Sequence, residues 1–230
     1  MIVYPQNWRK VGVPITMSDI DRAMRKVIED IDCSNLSFSG GIDSSLLLYY
    51  LLEAKRRVRT FTVANDAHHP DIEFSHKSLQ YFESKYKTHI DHCVLIRTKL
   101  DGDDLVKAFY GVLSTSFSVK AIITGDCIDE LSCGYYQHQD LEEATYHNFL
   151  NRLQAEHLTP LNENSGDIRV YLPYADDRVA NMFYRIPLYE KVSILGRKLV
   201  IQHLAEGKVL PEVIERRKYG FAANINKIAV

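Results

Sequence analysis

The residues of this chain best suited to chemistry gather first in Ser39-Gly40-Gly41-Ile42-Asp43-Ser44-Ser45. Two glycines let a backbone turn sharply and approach a ligand with no Cβ in the way. The segment lies between a short apolar run, Leu36 to Phe38, and a helix expected from Asp43 to Lys55. The free N–H groups and positive dipole end of that helix would face the loop, which makes an anion site. Ser39, Ser44 and Ser45 add hydroxyl donors. A carboxylate, Asp43, stands inside this anion site. Beside a polyphosphate it is repulsive unless a cation lies between them, so Asp43 implies Mg²⁺. The loop has no Gly-Lys-Ser/Thr ending, which excludes the loop of the γ-phosphate-transferring ATPases. An ordinary glycine turn is the plain alternative, and three hydroxyls in a strand–helix setting weigh against it.

Further on, Gly125-Asp126-Cys127-Ile128-Asp129-Glu130-Leu131-Ser132-Cys133-Gly134-Tyr135 is a second turn rich in glycine and acid. Taken alone, Asp129 and Glu130 read as acids at a helix N-terminus. Lys218, beside Arg216 and Arg217, reads alone as a solvated basic helix end. His68, His69, His89 and His92 are assigned no ligand role. Cys127, Cys133 and His138 lack zinc spacing.

The elements that must position these residues alternate. A helix is expected from Ser18 to about Ile31, capped by Ser18, with Ile20, Met24, Val27, Ile28 and Ile31 on one face. Strands are expected at Leu36–Phe38, Val58–Val63, His89–Ile96 and Ala121–Thr124. Helices are expected at Asp43–Lys55, Asp71–Lys87 and Leu105–Leu113. This alternation predicts an α/β fold, a parallel sheet with helices on both faces. After Tyr135 the pattern turns helical, with a polar loop from Thr159 to Asp167 and helices at Asp177–Ile186, Val192–Ala205 and Pro211–Arg217. Residues 1–135 are expected to form a nucleotide-binding sheet layer and 140–230 a helical layer packed on it, together one domain. A ligand would lie at the carboxyl ends of the strands.

Bulk properties are permissive. The 230 residues are 46% hydrophobic and 25% charged, with a formal net charge of −2. No long-range field favours a polyanion, so no nucleic acid partner is expected. The longest apolar run, Leu46 to Leu52, is far shorter than a membrane span, and the first residues do not read as a signal peptide. Four irregularly spaced cysteines fit reduced thiols and a cytoplasmic location.

Ser39-Gly40-Gly41-Ile42-Asp43-Ser44 resembles the signature of the PP-loop, or N-type ATP pyrophosphatase, superfamily. Those enzymes release pyrophosphate and form an adenylylated substrate. The Gly125–Tyr135 segment resembles the stretch Gly-Glu-Gly-x-Asp-Glu-Leu-Phe-Gly-Gly-Tyr of asparagine synthetases. Leu172-Pro173-Tyr174-Ala175-Asp176 resembles that family's Pro-Phe-Leu-Asp. Arg185-Ile186-Pro187, Gly196-Arg197-Lys198, Leu210-Pro211 and Arg217-Lys218-Tyr219-Gly220-Phe221 follow in the family's order, so the resemblance runs from about Leu36 to Ala223. It implies an ATP-dependent, AMP-forming amide ligase of the synthetase-domain type. Asp43 and Asp129 would share Mg²⁺. Lys218 would neutralise the transition state and the leaving pyrophosphate. Ser37, Ser39, Gly40, Gly41, Asp43, Ser44 and Thr124 would join the nucleotide contacts, with Val63 and Gly125 touching base and sugar through their backbones. Asp126 takes the place of a glutamate near the substrate carboxylate and amine.

The departures concern substrate. Amidotransferring members carry a glutamine-hydrolysing domain with cysteine as residue 2; here residue 2 is Ile2 and residues 1–35 precede the first strand. The nucleophile is then expected to be free ammonia, another amine, or ammonia fed by a separate glutaminase subunit, with a carboxylate amino acid such as aspartate as acceptor. Asp126 replaces Glu, Cys127 and Cys133 replace glycines, and Tyr171 stands where the family has Arg. Two other readings compete: a PP-loop thiolation or RNA-modifying enzyme, favoured by the two cysteines, and a degenerate nucleotide-binding subunit.

Overall fold

The computed structural model describes residues 14–100 and 102–216. The chain opens with α1 (Met17–Asp30), then β1 (Asn35–Ser37), α2 (Ile42–Glu53), β2 (Arg59–Ala64), α3 (Pro70–Tyr86), β3 (Asp91–Ile96), α4 (Gly102–Phe117) and β4 (Ala121–Ile123). It continues through α5 (Ile128–Leu131), α6 (Glu143–Leu153), α7 (Thr159–Asn164), β5 (Arg169–Tyr171), α8 (Asp177–Arg185), α9 (Leu188–Lys191), α10 (Leu199–Ala205) and α11 (Pro211–Glu215). The strands make one parallel sheet in the order β3-β2-β1-β4-β5. The α/β architecture read from the alternation is therefore present.

Strand period separates two cores. Phe61 and Val63 of β2 and Ile122 of β4 pack with Leu105, Phe109 and Leu113 of α4 on one face. Leu36 and Ile123 face the larger core, built with α1, α2, α8 and α10. The almost wholly apolar run Leu46–Leu52 makes α2 buried all round, as a helix between sheet and outer helices must be.

Four expectations need correction. Thr16, not Ser18, caps α1, in a reciprocal capping box with Asp19, and Ile31 falls just beyond the last turn. Residues 159–164, expected as loop, are α7, reached from α6 through a π turn at Gln154–Leu158. Pro160 sits in the first turn of α7, where its missing N–H costs nothing, and Leu161 packs against the α4 core. The expected helix Val192–Ala205 begins only at Leu199, because Ser193 and Gly196 close a turn on each other and Lys198 is left-handed at φ +56°. The C-terminal part is not purely helical, since Arg169–Tyr171 adds β5 beside β4 at the sheet edge. Three residues in a polar setting give too short a period-2 signal to read.

Candidate functional site

The strand order reverses between β1 and β4, which both lie beside each other at the middle of the sheet. In open parallel sheets that switch point opens a crevice at the strands' carboxyl ends. The loop after β1 and the turn after β4 meet there. A Cβ on Gly125 would lie 3.3 Å from the Asp43 Cβ, so the glycine lets the two connections close on each other.

The first loop is built as a cradle. Gly40 is left-handed at φ +65°, and a Cβ there would come within 2.3 Å of the Phe74 and Ser75 backbone of α3. Gly41 is the N-cap of α2, and among the described residues no side-chain cap hydrogen bond closes the helix's first turn. Ser44 Oγ donates to the Gly41 carbonyl (3.2 Å) and accepts from the Ser39 N–H (3.3 Å). The Ser39 hydroxyl lies 3.3 Å from the same oxygen. Ser45 is fully buried beneath the loop. From behind, Arg216 Nη1 donates to the Ser39 carbonyl at 3.0 Å, its Nη2 pairs with Asp71 at the start of α3, and its guanidinium lies 4.3 Å from the Phe74 ring centroid.

Asp43 and Asp129, in the first turns of α2 and α5, converge on one point, and that point holds the ammonium of Lys198. Lys198 Nζ lies 2.5 Å from Asp43 Oδ2 and 2.8 Å from Asp129 Oδ1. Burial opposes its charge, but Asp129 and Asp43 outweigh burial and hold its pKa above the ordinary lysine value. Gly134 makes room for the pair, since a Cβ there would lie 1.9 Å from Asp129 Oδ1 and 2.5 Å from Lys198 Cε. Tyr174, in the segment compared above with Pro-Phe-Leu-Asp, donates its hydroxyl to the Asp43 carbonyl at 2.9 Å. A cleft of about 110 Å³ opens over this cluster, lined among others by Ser39, Gly41, Asp43, Lys198 and Arg216.

The donor set fits a hard divalent cation. Asp43 Oδ1 is buried with no hydrogen-bond partner among the described residues. No group of three or more His, Cys, Asp or Glu converges among them. Two carboxylates with the remaining positions left to water and phosphate is how Mg²⁺ is commonly held at nucleotide sites.

Other sequence-derived residues fall around this centre. Ser37 ends β1, opposite Phe61. Val63 lies in β2 beyond the last residue of β1 in register, its side chain in the α4 core. Thr124 follows β4, with its N–H on the Tyr171 carbonyl (3.0 Å) and its hydroxyl on Asp126 Oδ2 (2.5 Å). Asp126 is exposed. Lys218 lies outside the described residues.

Cys127 and Cys133 keep glycine-like backbone, at φ +74° and +61°. Both are buried, and burial raises both thiols, Cys133 to about 12. A sulfur carrier needs an accessible thiolate. Glu130 is buried, its pKa raised by burial against the opposing hydrogen bond from the Tyr135 hydroxyl at 2.6 Å. His157, on the π turn, reaches the same carboxylate at 3.4 Å.

Sequence reasoning assigns no role to Lys198 or Arg216; for Lys198 the available signal is its place in the ordered segment Gly196-Arg197-Lys198.

The profile of the family described as asparagine synthase matches residues 35–169 and 163–229. A comparison with curated proteins finds no match. Among the described residues no helix is long and apolar enough to cross a membrane. The match begins at the strand before the Ser39–Ser44 loop and takes in both carboxylates, Lys198 and Arg216, and the chain belongs to the asparagine synthase family of ATP-dependent synthetases.

Proposed function

We propose that this chain adenylylates a carboxylate, with aspartate the first candidate, and then forms an amide with ammonia or another small amine. One observation carries the reading: the side-chain-uncapped N-terminus of α2 and the Asp43–Asp129 pair face one cleft at the sheet's switch point. The first suits phosphate, the second a cation that accompanies phosphate.

In this reading the Ser39–Ser44 cradle orients the β- and γ-phosphates, and Arg216 keeps the cradle in place through the Ser39 carbonyl. Asp43 and Asp129 would hold Mg²⁺, which when bound neutralises charge on the leaving pyrophosphate. An acceptor carboxylate oxygen attacks the α-phosphorus, the bond to the bridging oxygen breaks, and pyrophosphate leaves. The amine then attacks the acyl carbon and AMP departs. Lys198 and Lys218 supply positive charge along the phosphates. Positioning and charge neutralisation carry the rate. Asp126 would meet the acceptor's amine. Ammonia comes from solution or from a separate glutaminase subunit.

The test is nucleotide chromatography and amide detection with ATP, Mg²⁺, ammonium and candidate amino acids. AMP and pyrophosphate are expected, and amide with ammonium but not with ammonia-free glutamine. ADP and phosphate would overturn the reading. Asp43→Asn and Asp129→Asn should each cut pyrophosphate release on the order of 100-fold or more, with the circular dichroism spectrum retained.

A further inference from the structure

Two carboxylates brought to one point repel unless a cation stands between them. Here the cation is already supplied by the chain. Lys198 is 6% exposed, and both of its salt-bridge partners are Asp43 and Asp129. Its backbone is left-handed, a conformation that L residues avoid and that persists only where surroundings hold it. The residues before it form no helix, and two tethers hold them. Gln139 donates to the Ile194 carbonyl at 2.7 Å, and Arg197 donates to the Gly134 carbonyl at 2.6 Å. Ile194 and Leu195 project into solvent at 73% and 96% exposure. The 192–198 segment is therefore a strap buried at its first and last side chains, Val192 and Lys198, and tethered between them.

We propose that Lys198 is the resident counter-ion of the Asp43–Asp129 pair and that a divalent cation can take those carboxylates only as the ammonium leaves. The inference rests on the reading that these carboxylates bind a cation. An ammonium 2.5 and 2.8 Å from the two oxygens occupies the space a dication would need, and the two positive charges repel. Without nucleotide the ammonium keeps the carboxylates together and the strap closed. When metal arrives with a polyphosphate, the carboxylates change partner and the ammonium moves toward the phosphates lining the same cleft. Charge stays paired in both states, and the strap shifts with its lysine. The site thus disfavours free metal and admits metal that brings its own anion to receive the lysine.

The test uses Mn²⁺ alone, without nucleotide, so that it stands apart from the reaction assay. Mn²⁺ binding is read by electron paramagnetic resonance for the wild-type chain and for Lys198→Met. The variant is expected to bind about tenfold more tightly or better, because one positive charge has left the site. Equal affinity, or binding by neither protein, overturns the proposal. Should Lys198→Met fail to fold, amide hydrogen exchange of residues 192–199 in the wild-type chain decides. Faster exchange with Mn²⁺ and pyrophosphate together than with pyrophosphate alone is expected; unchanged exchange with both, or no Mn²⁺ binding at millimolar concentration even with pyrophosphate, overturns it. ADP instead of AMP in the reaction assay would remove the ligase reading and leave the metal competition to be judged on its own result.

Discussion

Cys127 and Cys133 show what a single residue can retain of a backbone. Both stand where the resembled motif has glycine, and both keep positive φ. A left-handed L residue costs about 1–2 kcal/mol. At most buried positions alanine is better tolerated than glycine; here the order should invert. Cys127→Gly and Cys133→Gly are expected to be more stable than the matching alanine variants by about 1 kcal/mol in urea denaturation. Alanine at or above glycine would show that the strain is relieved some other way. None of the four variants should stop AMP release, since both thiols are buried and protonated. Individual site residues were legible to unequal degrees. Asp43 was readable because its meaning lies in its immediate neighbours, two glycines and three serines. Lys198 was not, because its meaning lies in Asp43, 155 positions away, and no local pattern encodes such a partner.

Between elements, two buried cations make separable predictions. Arg216 fastens α11 to α3 and to the Ser39–Ser44 loop, and it and Asp71 are 5% and 6% exposed at their side chains. Removing the guanidinium takes a charge partner from the buried Asp71 carboxylate, at about 3 kcal/mol. Arg216→Met should lower stability by about that amount and raise the KM for ATP. Adding Asp71→Asn should recover part of the stability but not the KM, because the Ser39 carbonyl stays untethered. Recovery of both would deny the loop its tether. Lys191 of α9 is a different case: it donates to the Phe183 carbonyl at 3.1 Å and lies 3.7 Å from the Tyr146 ring centroid. Burial lowers its pKa from 10.5 to about 8. The unfolded chain therefore binds more protons between those values, and stability should rise with pH from about 8 to 10.5 on this group's account. The full effect is roughly 3 kcal/mol. Lys191→Met should flatten that part of the wild-type stability profile; identical slopes would refute the assignment. Helices with clear apolar periodicity were read to within a few residues. The strap before α10 and the turn into α7 were not, because tertiary hydrogen bonds and packing set them, not local propensity.

At the scale of the whole molecule, the alternation of strands and helices was enough to foresee a parallel sheet with helices around it. It did not foresee the order of the strands' edges. The polar stretch before Arg169 hides a strand of three residues, and the expected helical layer supplies part of the sheet. Strand β5 has a consequence for the chain as it is synthesised. Until Tyr171 has left the ribosome, β4 has an open edge, and the Thr124 N–H lacks the Tyr171 carbonyl it binds in the finished fold. Exposed strand edges recruit other chains. Nascent chains stalled short of β5 should therefore aggregate or hold a chaperone, and those stalled once α8 has emerged should release it. The turn after β4, which begins at Thr124, would wait on a late strand for its final setting.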